Sequence, residues 1–86
     1  MNKGDKVFYA RILEKADIYE VAELTIRTVE KDYFVGTEER TKQAFLFSNN
    51  SLNNTIFYSR NSALNKVLDA EKNKIRILSE KYYEEY

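Results

Sequence analysis

The sequence predicts a mainly β domain with one helix after its last strand, and three observations predict it. Between residues 6 and 58, β-branched and aromatic residues gather into short runs of period two. Those runs are separated by clusters of Gly, Asp, Asn and Ser, the residues that turns select. Helical periodicity appears only after Ser59. With 86 residues there is material for one hydrophobic core and not for two.

The elements follow in order. Gly4-Asp5 signals a turn, and Lys6 to Leu13 then reads as a strand with Phe8, Ala10 and Ile12 on one face and Val7, Tyr9 and Arg11 on the other. Glu14 to Asp17 breaks the pattern. Ile18 to Val29 is a second strand, with Ala22, Leu24 and Ile26 facing one way and Glu23, Thr25 and Arg27 the other. Val21 falls out of that phase, which a β-bulge near Glu20 would absorb by inserting one residue. Glu30-Lys31-Asp32 joins this strand as a hairpin to Tyr33-Phe34-Val35, which Gly36 ends or bulges. Thr37 to Thr41 reads as a charged loop and Lys42 to Phe47 as a fourth strand. Ser48 to Thr55 holds four Asn and two Ser around Leu52, a turn-rich loop that Leu52 pins to the core. Ile56 to Tyr58 is a short fifth strand, and Ser59 is the N-cap of a helix over Asn61 to Lys74. Ala63, Leu64, Val67, Leu68 and Glu71 share one face of that helix. Ile75, Ile77 and Leu78 fit either an extended edge segment or a last helical turn.

Five short strands in meander order followed by a helix fit a small SH3-like antiparallel barrel of about five strands plus a C-terminal α-helix. The alternative is a smaller open sheet with the helix across one face. The expected organisation is a single domain over residues 1–78 with a Tyr/Glu-rich tail over 79–86.

Composition removes most enzyme classes. With no His and no Cys there is no Ser-His-Asp or Cys-His nucleophile system, no Cys/His zinc site and no disulfide. Gly4 and Gly36 are too few and too far apart for a phosphate cradle. No Lys has an acid two positions before it, as metal-dependent nucleases of the restriction type require. Neighbours on an extended chain point to opposite faces, so the Glu38-Glu39 and Glu84-Glu85 pairs do not form a two-carboxylate site. The expectation is therefore a protein that is not an enzyme and takes no cofactor and no metal. The longest apolar runs, Val7 to Ala10 and Ala44 to Phe47, are far below the roughly 20 residues of a membrane span. With no secretory pattern at its start, the chain is expected in the cytoplasm.

The stretches Gly4 to Arg11, Ile18 to Val21, Ile26 to Val29, Tyr33 to Gly36 and Ala63 to Val67 resemble a group of short, largely uncharacterised proteins carried by phages and other mobile elements of Gram-positive bacteria. The resemblance spans nearly the whole chain and rests mostly on core and turn residues. It brings no catalytic residues with it. It implies an accessory protein that acts in the host cell, of the kind that blocks host defence, anti-CRISPR proteins included.

Net charge is zero, from 14 basic and 14 acidic residues, but the charges are not evenly spread. Residues 17–39 hold seven acids and two bases; residues 40–78 hold seven bases and two acids. The plain reading is that the two halves neutralise each other across strands. A functional reading takes Arg40, Lys42 and Arg60, with Phe45, Phe47 and Tyr58, as a surface for phosphate contact and base stacking. The opposite one takes Asp17, Glu20, Glu23, Glu30, Asp32, Glu38 and Glu39 as an acidic face competing for a basic groove on a partner. Among seven Tyr, Tyr9, Tyr19 and Tyr33 read as anchors of the barrel with the hydroxyl at its edge, whereas Tyr82, Tyr83 and Tyr86 at the end suit a protein contact. The candidate binding residues are thus Arg40, Lys42, Tyr58, Arg60, Tyr82, Tyr83 and Tyr86. The leading expectation is binding of a host protein or nucleoprotein complex, a defence nuclease complex above all. The alternative is a nucleic-acid or ribonucleoprotein binding module, and a homo-oligomeric assembly protein is the third.

Overall fold

The computed structural model describes the backbone of residues 1–84 and the side chains of residues 1–74. Strands β1 (Lys6–Leu13), β2 (Ile18–Val29), β3 (Tyr33–Glu38), β4 (Ala44–Ser48) and β5 (Ile56–Phe57) precede helix α1 (Arg60–Glu84). They form one antiparallel sheet in the order β4-β3-β2-β1-β5. The mainly β class and the single helix are as the sequence predicts. The sheet is open, with β4 at one edge and β5 at the other, and not closed into a barrel.

The alternation read from β1 and β2 holds, and it explains why both faces are apolar. Val7, Leu24, Ile26, Phe34 and Ile56 are buried together on one face, with Met1, Tyr9, Phe45, Phe47 and Leu52 packed against them. The sheet curls around this cluster, in which Phe47 stacks on Phe34 at 5.4 Å and meets Tyr9 edge-on at 5.1 Å. On the other face Ala10, Ala63 and Val67 are buried, with Phe8, Ile12, Tyr19, Val21 and Phe57 around them. Here α1 lies on β1, β2 and β5.

That second layer corrects the bulge expected near Glu20. β1 and β2 pair without interruption from Lys6 opposite Thr25 to Leu13 opposite Ile18. Val21 is apolar because the helix covers its face, so no residue needs to be inserted. The irregularity lies at Arg27, where the β2 register against β3 shifts between Ile26 and Thr28. Gly36 sits beside it and neither ends nor bulges β3, which runs on to Glu38. A Cβ at Gly36 would stand 3.2 Å from Leu24 Cδ1 and 3.3 Å from Leu24 Cβ, so a side chain at this position would require Leu24 to give by a few tenths of an ångström.

Three other boundaries move. β4 begins at Ala44 rather than Lys42, because Lys42 adopts a left-handed conformation (φ 62°) that turns the chain between β3 and β4. The turn is closed by the Lys42 N–H donating to Glu38 O at 2.9 Å and the Glu38 N–H donating to Gln43 O at 2.8 Å. β5 stops at Phe57, one residue before Tyr58. The helix starts at Arg60, with the Ser62 N–H donating to Ser59 Oγ at 3.4 Å, and continues through residues 75–84. Ile75, Ile77 and Leu78 are thus helical rather than an extended edge segment, and residues 79–84 of the expected tail belong to the same helix.

The helix also turns a different face to the sheet from the one expected. Ala63 and Val67 are buried, Ala70 and Lys74 half-buried, while Leu64 and Leu68 are exposed. Cations at both ends accompany that rotation: Arg60 pairs with Glu23 at 3.6 Å and lies over the Phe8 ring, and Lys74 pairs with Asp17 and lies over the Tyr19 ring. Alanines between these anchors let the helix approach the sheet closely. Among the described residues no helix is long and apolar enough to cross a membrane.

Candidate functional site: a charged cavity beside an uncovered strand edge

β1 and β2 are longer than their neighbours. β5 pairs only with Phe8 and Tyr9 of β1, and β3 pairs with β2 only from Leu24 onward. Residues 11–13 and 18–22 consequently project as a two-stranded arm. The Glu39 N–H donates to Glu23 O at 3.0 Å, which shows that the odd-numbered residues of β2 ahead of the Arg27 register shift aim their main-chain groups to the β3 side. Beyond Glu23 no strand lies there to receive them. Among the described residues the N–H and C=O of Tyr19 and Val21 face outward without a main-chain partner.

A cavity of about 250 Å³ opens beside this edge, lined by Arg11, Glu20, Glu23, Glu38, Arg40 and Arg60 among others. Arg11 organises it. Alternation places Arg11 on the curled face beside Val7 and Tyr9, and its guanidinium rests over the Tyr9 and Phe45 rings at 5.4 and 5.2 Å. From there it donates to Glu20 Oε1 at 2.8 Å and to Glu38 Oε1 at 3.0 Å. Glu38 is the only charged side chain buried among the described residues, and the Thr41 hydroxyl donates to its other oxygen. Every buried polar side-chain atom among the described residues has a partner.

Hydrogen bonding sets the titration of this end of the sheet. The Thr41 hydroxyl and then Arg11 hold the Glu38 carboxyl below its ordinary value of 4.5 against the opposing effect of burial. Hydrogen bonds from Lys6 and Thr25 lower Glu39 in the same way, and Glu39 in turn raises Lys6. Depressed carboxyl values contribute stability that is complete above about 4.5 and lost as pH falls through the folded-state values; the raised Lys6 contributes stability that is lost only above 10.5. Denaturant midpoints measured against pH should therefore be flat near neutrality and fall on acidification below about 4.5. Glu38→Gln should make that acid fall shallower, and an unchanged acid limb in the variant would contradict the assignment.

The candidate residues read from sequence divide. Arg40 and Arg60 line the same cavity, Arg60 already paired with Glu23. Lys42 stands at the β3–β4 turn and Tyr58, 52% exposed, in the bend before the helix; neither lines the cavity. Phe45 and Phe47 turn their rings into the core, where they pack with Tyr9 and Phe34, so of the three rings expected to flank Arg40, Lys42 and Arg60 it is Tyr58 that stands exposed. The side chains of Tyr82 and Tyr83, and Tyr86 altogether, lie outside the described residues. The acids do not form one face: Glu20 and Glu38 pair with Arg11, Glu23 with Arg60, Glu39 with Lys6 and Asp17 with Lys74.

Sequence reasoning missed Arg11 and Thr41, and named Glu38 as a candidate only within an acidic face, not as the partner of Arg11. A signal for the pair was present. Arg11 continues the phase of Val7 and Tyr9, and Glu38 continues that of Phe34 and Gly36, so both charges fall on the face that builds the core. The chain matches no family model, no curated protein and no solved structure among those compared.

Proposed function

We propose that this protein is a non-enzymatic binding domain that takes an extended segment of a partner protein as an added strand along the outer edge of β2. The observation that carries the reading is the outward-facing main chain of Tyr19 and Val21 beside the charged cavity. Strand addition draws affinity from such main-chain groups and specificity from pockets next to them. The four carboxylates that line this pocket are already paired, Glu20 and Glu38 with Arg11, Glu23 with Arg60 and Glu39 with Lys6, and Arg40 stands in no ion pair among the described residues, which favours a segment bearing an acidic side chain. The connectivity also supports an SH3-like reading of the fold: a four-strand meander, a short 3₁₀ turn at Asn49–Ser51, and a fifth strand returning to β1. In this reading the barrel is left open between β4 and β5. The resemblance to short phage and mobile-element proteins directs the search for the partner to proteins of a Gram-positive host, defence nuclease complexes such as CRISPR-Cas first.

The test is affinity capture from a Gram-positive lysate with the wild type and Val21→Pro. The Val21 N–H faces outward, so proline there removes no bond to β1 while obstructing an added strand. A defined protein should be captured by the wild type and lost by Val21→Pro, with circular dichroism verifying that the variant is folded. Recovery of RNA or DNA alone, or equal capture by both chains, would sink the reading.

A further inference from the structure

The other uncovered edge of the sheet has a different character. β4, Ala44-Phe45-Leu46-Phe47-Ser48, contains no charge, no proline and no bulge, the devices by which edge strands avoid pairing. Its pairing with β3 fixes which main-chain groups are used. Glu38 N–H donates to Gln43 O, so Gln43, Phe45 and Phe47 address β3, and Ala44, Leu46 and Ser48 address the outside. Leu46, the middle residue, is 68% exposed. It stands opposite Val35 on the sheet face shared with the helix, but α1 rests on β1, β2 and β5 and leaves this part uncovered.

We infer that this edge is a homodimer interface, in which β4 pairs antiparallel with β4 of a second copy about a two-fold axis at Leu46. The arrangement is self-complementary. Leu46 meets Leu46 of the second copy and Ala44 meets its Ser48, so all three outward-facing residues fall at hydrogen-bonded positions together. Phe45 then stands opposite Phe47 on the core face, and the two Leu46 side chains join the two Val35 side chains into one apolar strip. Charge agrees with this register. Arg40 and Lys42 lie at one end of β4, beside Glu38 and Glu39, which are already paired with Arg11 and Lys6, and Glu30 and Asp32 flank Lys31 in the hairpin turn beside the other end, where the Asn49 N–H donates to Asp32 O. Antiparallel pairing brings the basic end of each copy to the acidic end of the other. A parallel or shifted pairing would lose this match and leave outward-facing groups unpaired.

Sedimentation velocity of the full chain tests the inference. The wild type should approach twice its 10.2 kDa mass as concentration rises. Leu46→Lys places two ammonium groups against each other on the axis, and Leu46→Pro removes the donor at its centre; both should sediment as monomers with retained circular dichroism. Exposure of Leu46 and the outward direction of its N–H mean that neither change touches the core. A wild type that stays at 10.2 kDa up to millimolar concentration would overturn the interface. So would a dimer that survives both Leu46 variants but is lost in Leu64→Lys/Leu68→Lys, which would place the contact on the helix. The outcome is separate from the β2-edge reading, because the varied residues Leu46, Leu64 and Leu68 do not line that pocket.

Discussion

Replacing Arg11 by alanine is expected to destabilise the fold by about 3 kcal/mol, more than any other change to a charged residue in the described part of the chain. The reason is what it leaves behind. The Glu38 side chain is 7% exposed and that of Arg11 17%, so removing the guanidinium strands a carboxylate with only the Thr41 hydroxyl as a donor. Tyr9 and Phe45 also lose the planar group that covers them. Glu20→Ala provides the comparison: that carboxylate is 44% exposed, and its pairing with Arg11 should be worth less than about 1 kcal/mol. Arg11→Met combined with Glu38→Leu removes both charges and keeps the volume, and should recover most of the loss. Urea unfolding of the four chains decides the matter. Equal costs for Arg11→Ala and Glu20→Ala would show that the Arg11–Glu38 pair is not the buried contact that holds this end of the sheet.

Phe34→Ala should cost about 4 kcal/mol, a large share of what a domain of this size has to lose. Phe34 is fully buried in β3, stacked on Phe47 and surrounded by Val7, Leu24, Ile26 and Ile56. Among the described residues no further layer lies on this face of the curled sheet, so the space left by the ring could be refilled only by movement of the half-buried residues packed there, Met1, Tyr9, Phe45, Phe47 and Leu52. Thermal melts followed by circular dichroism should show Phe34→Ala largely unfolded at a temperature where Phe34→Leu remains folded. Leu46→Ala, on the neighbouring strand but 68% exposed, should stay within about 0.5 kcal/mol of the wild type at concentrations where the chain is a monomer. A mild effect of Phe34→Ala would mean that the helix layer, and not this cluster, dominates stability.

Much of this architecture is written in local pattern. The bounds of β1 and β2 and the faces of their residues follow from alternation, because a strand has a period of two whatever it packs against. Ser59 as N-cap and Leu52 as the pin of its loop are likewise local choices. The misreadings share a cause: each needed knowledge of what lay on the far side. Val21 looks out of register until the helix is seen to cover it. Leu64 and Leu68 look like the buried stripe until the helix is seen to rest on the sheet through Ala63, Val67 and Ala70, with Arg60 and Lys74 paired to Glu23 and Asp17 beside it. In the site, Arg40 and Arg60 were legible as basic residues, but their sharing a cavity with Arg11 and Glu38 depends on β1 and β2 outrunning β3 and β5.

By itself, then, the sequence determined the class of fold, the strands of the first hairpin, the turn chemistry between strands and the absence of His and Cys chemistry, all of which depend on residue identity or on neighbours along the chain. Tertiary structure decided that the sheet stays open, which helix face is buried, where the β2 register against β3 shifts, and that Arg11 and Glu38, 27 residues apart, form a pair. Those outcomes depend on strand lengths and pairings compared across the sheet, and a free edge exists only where one strand continues and its neighbour has stopped.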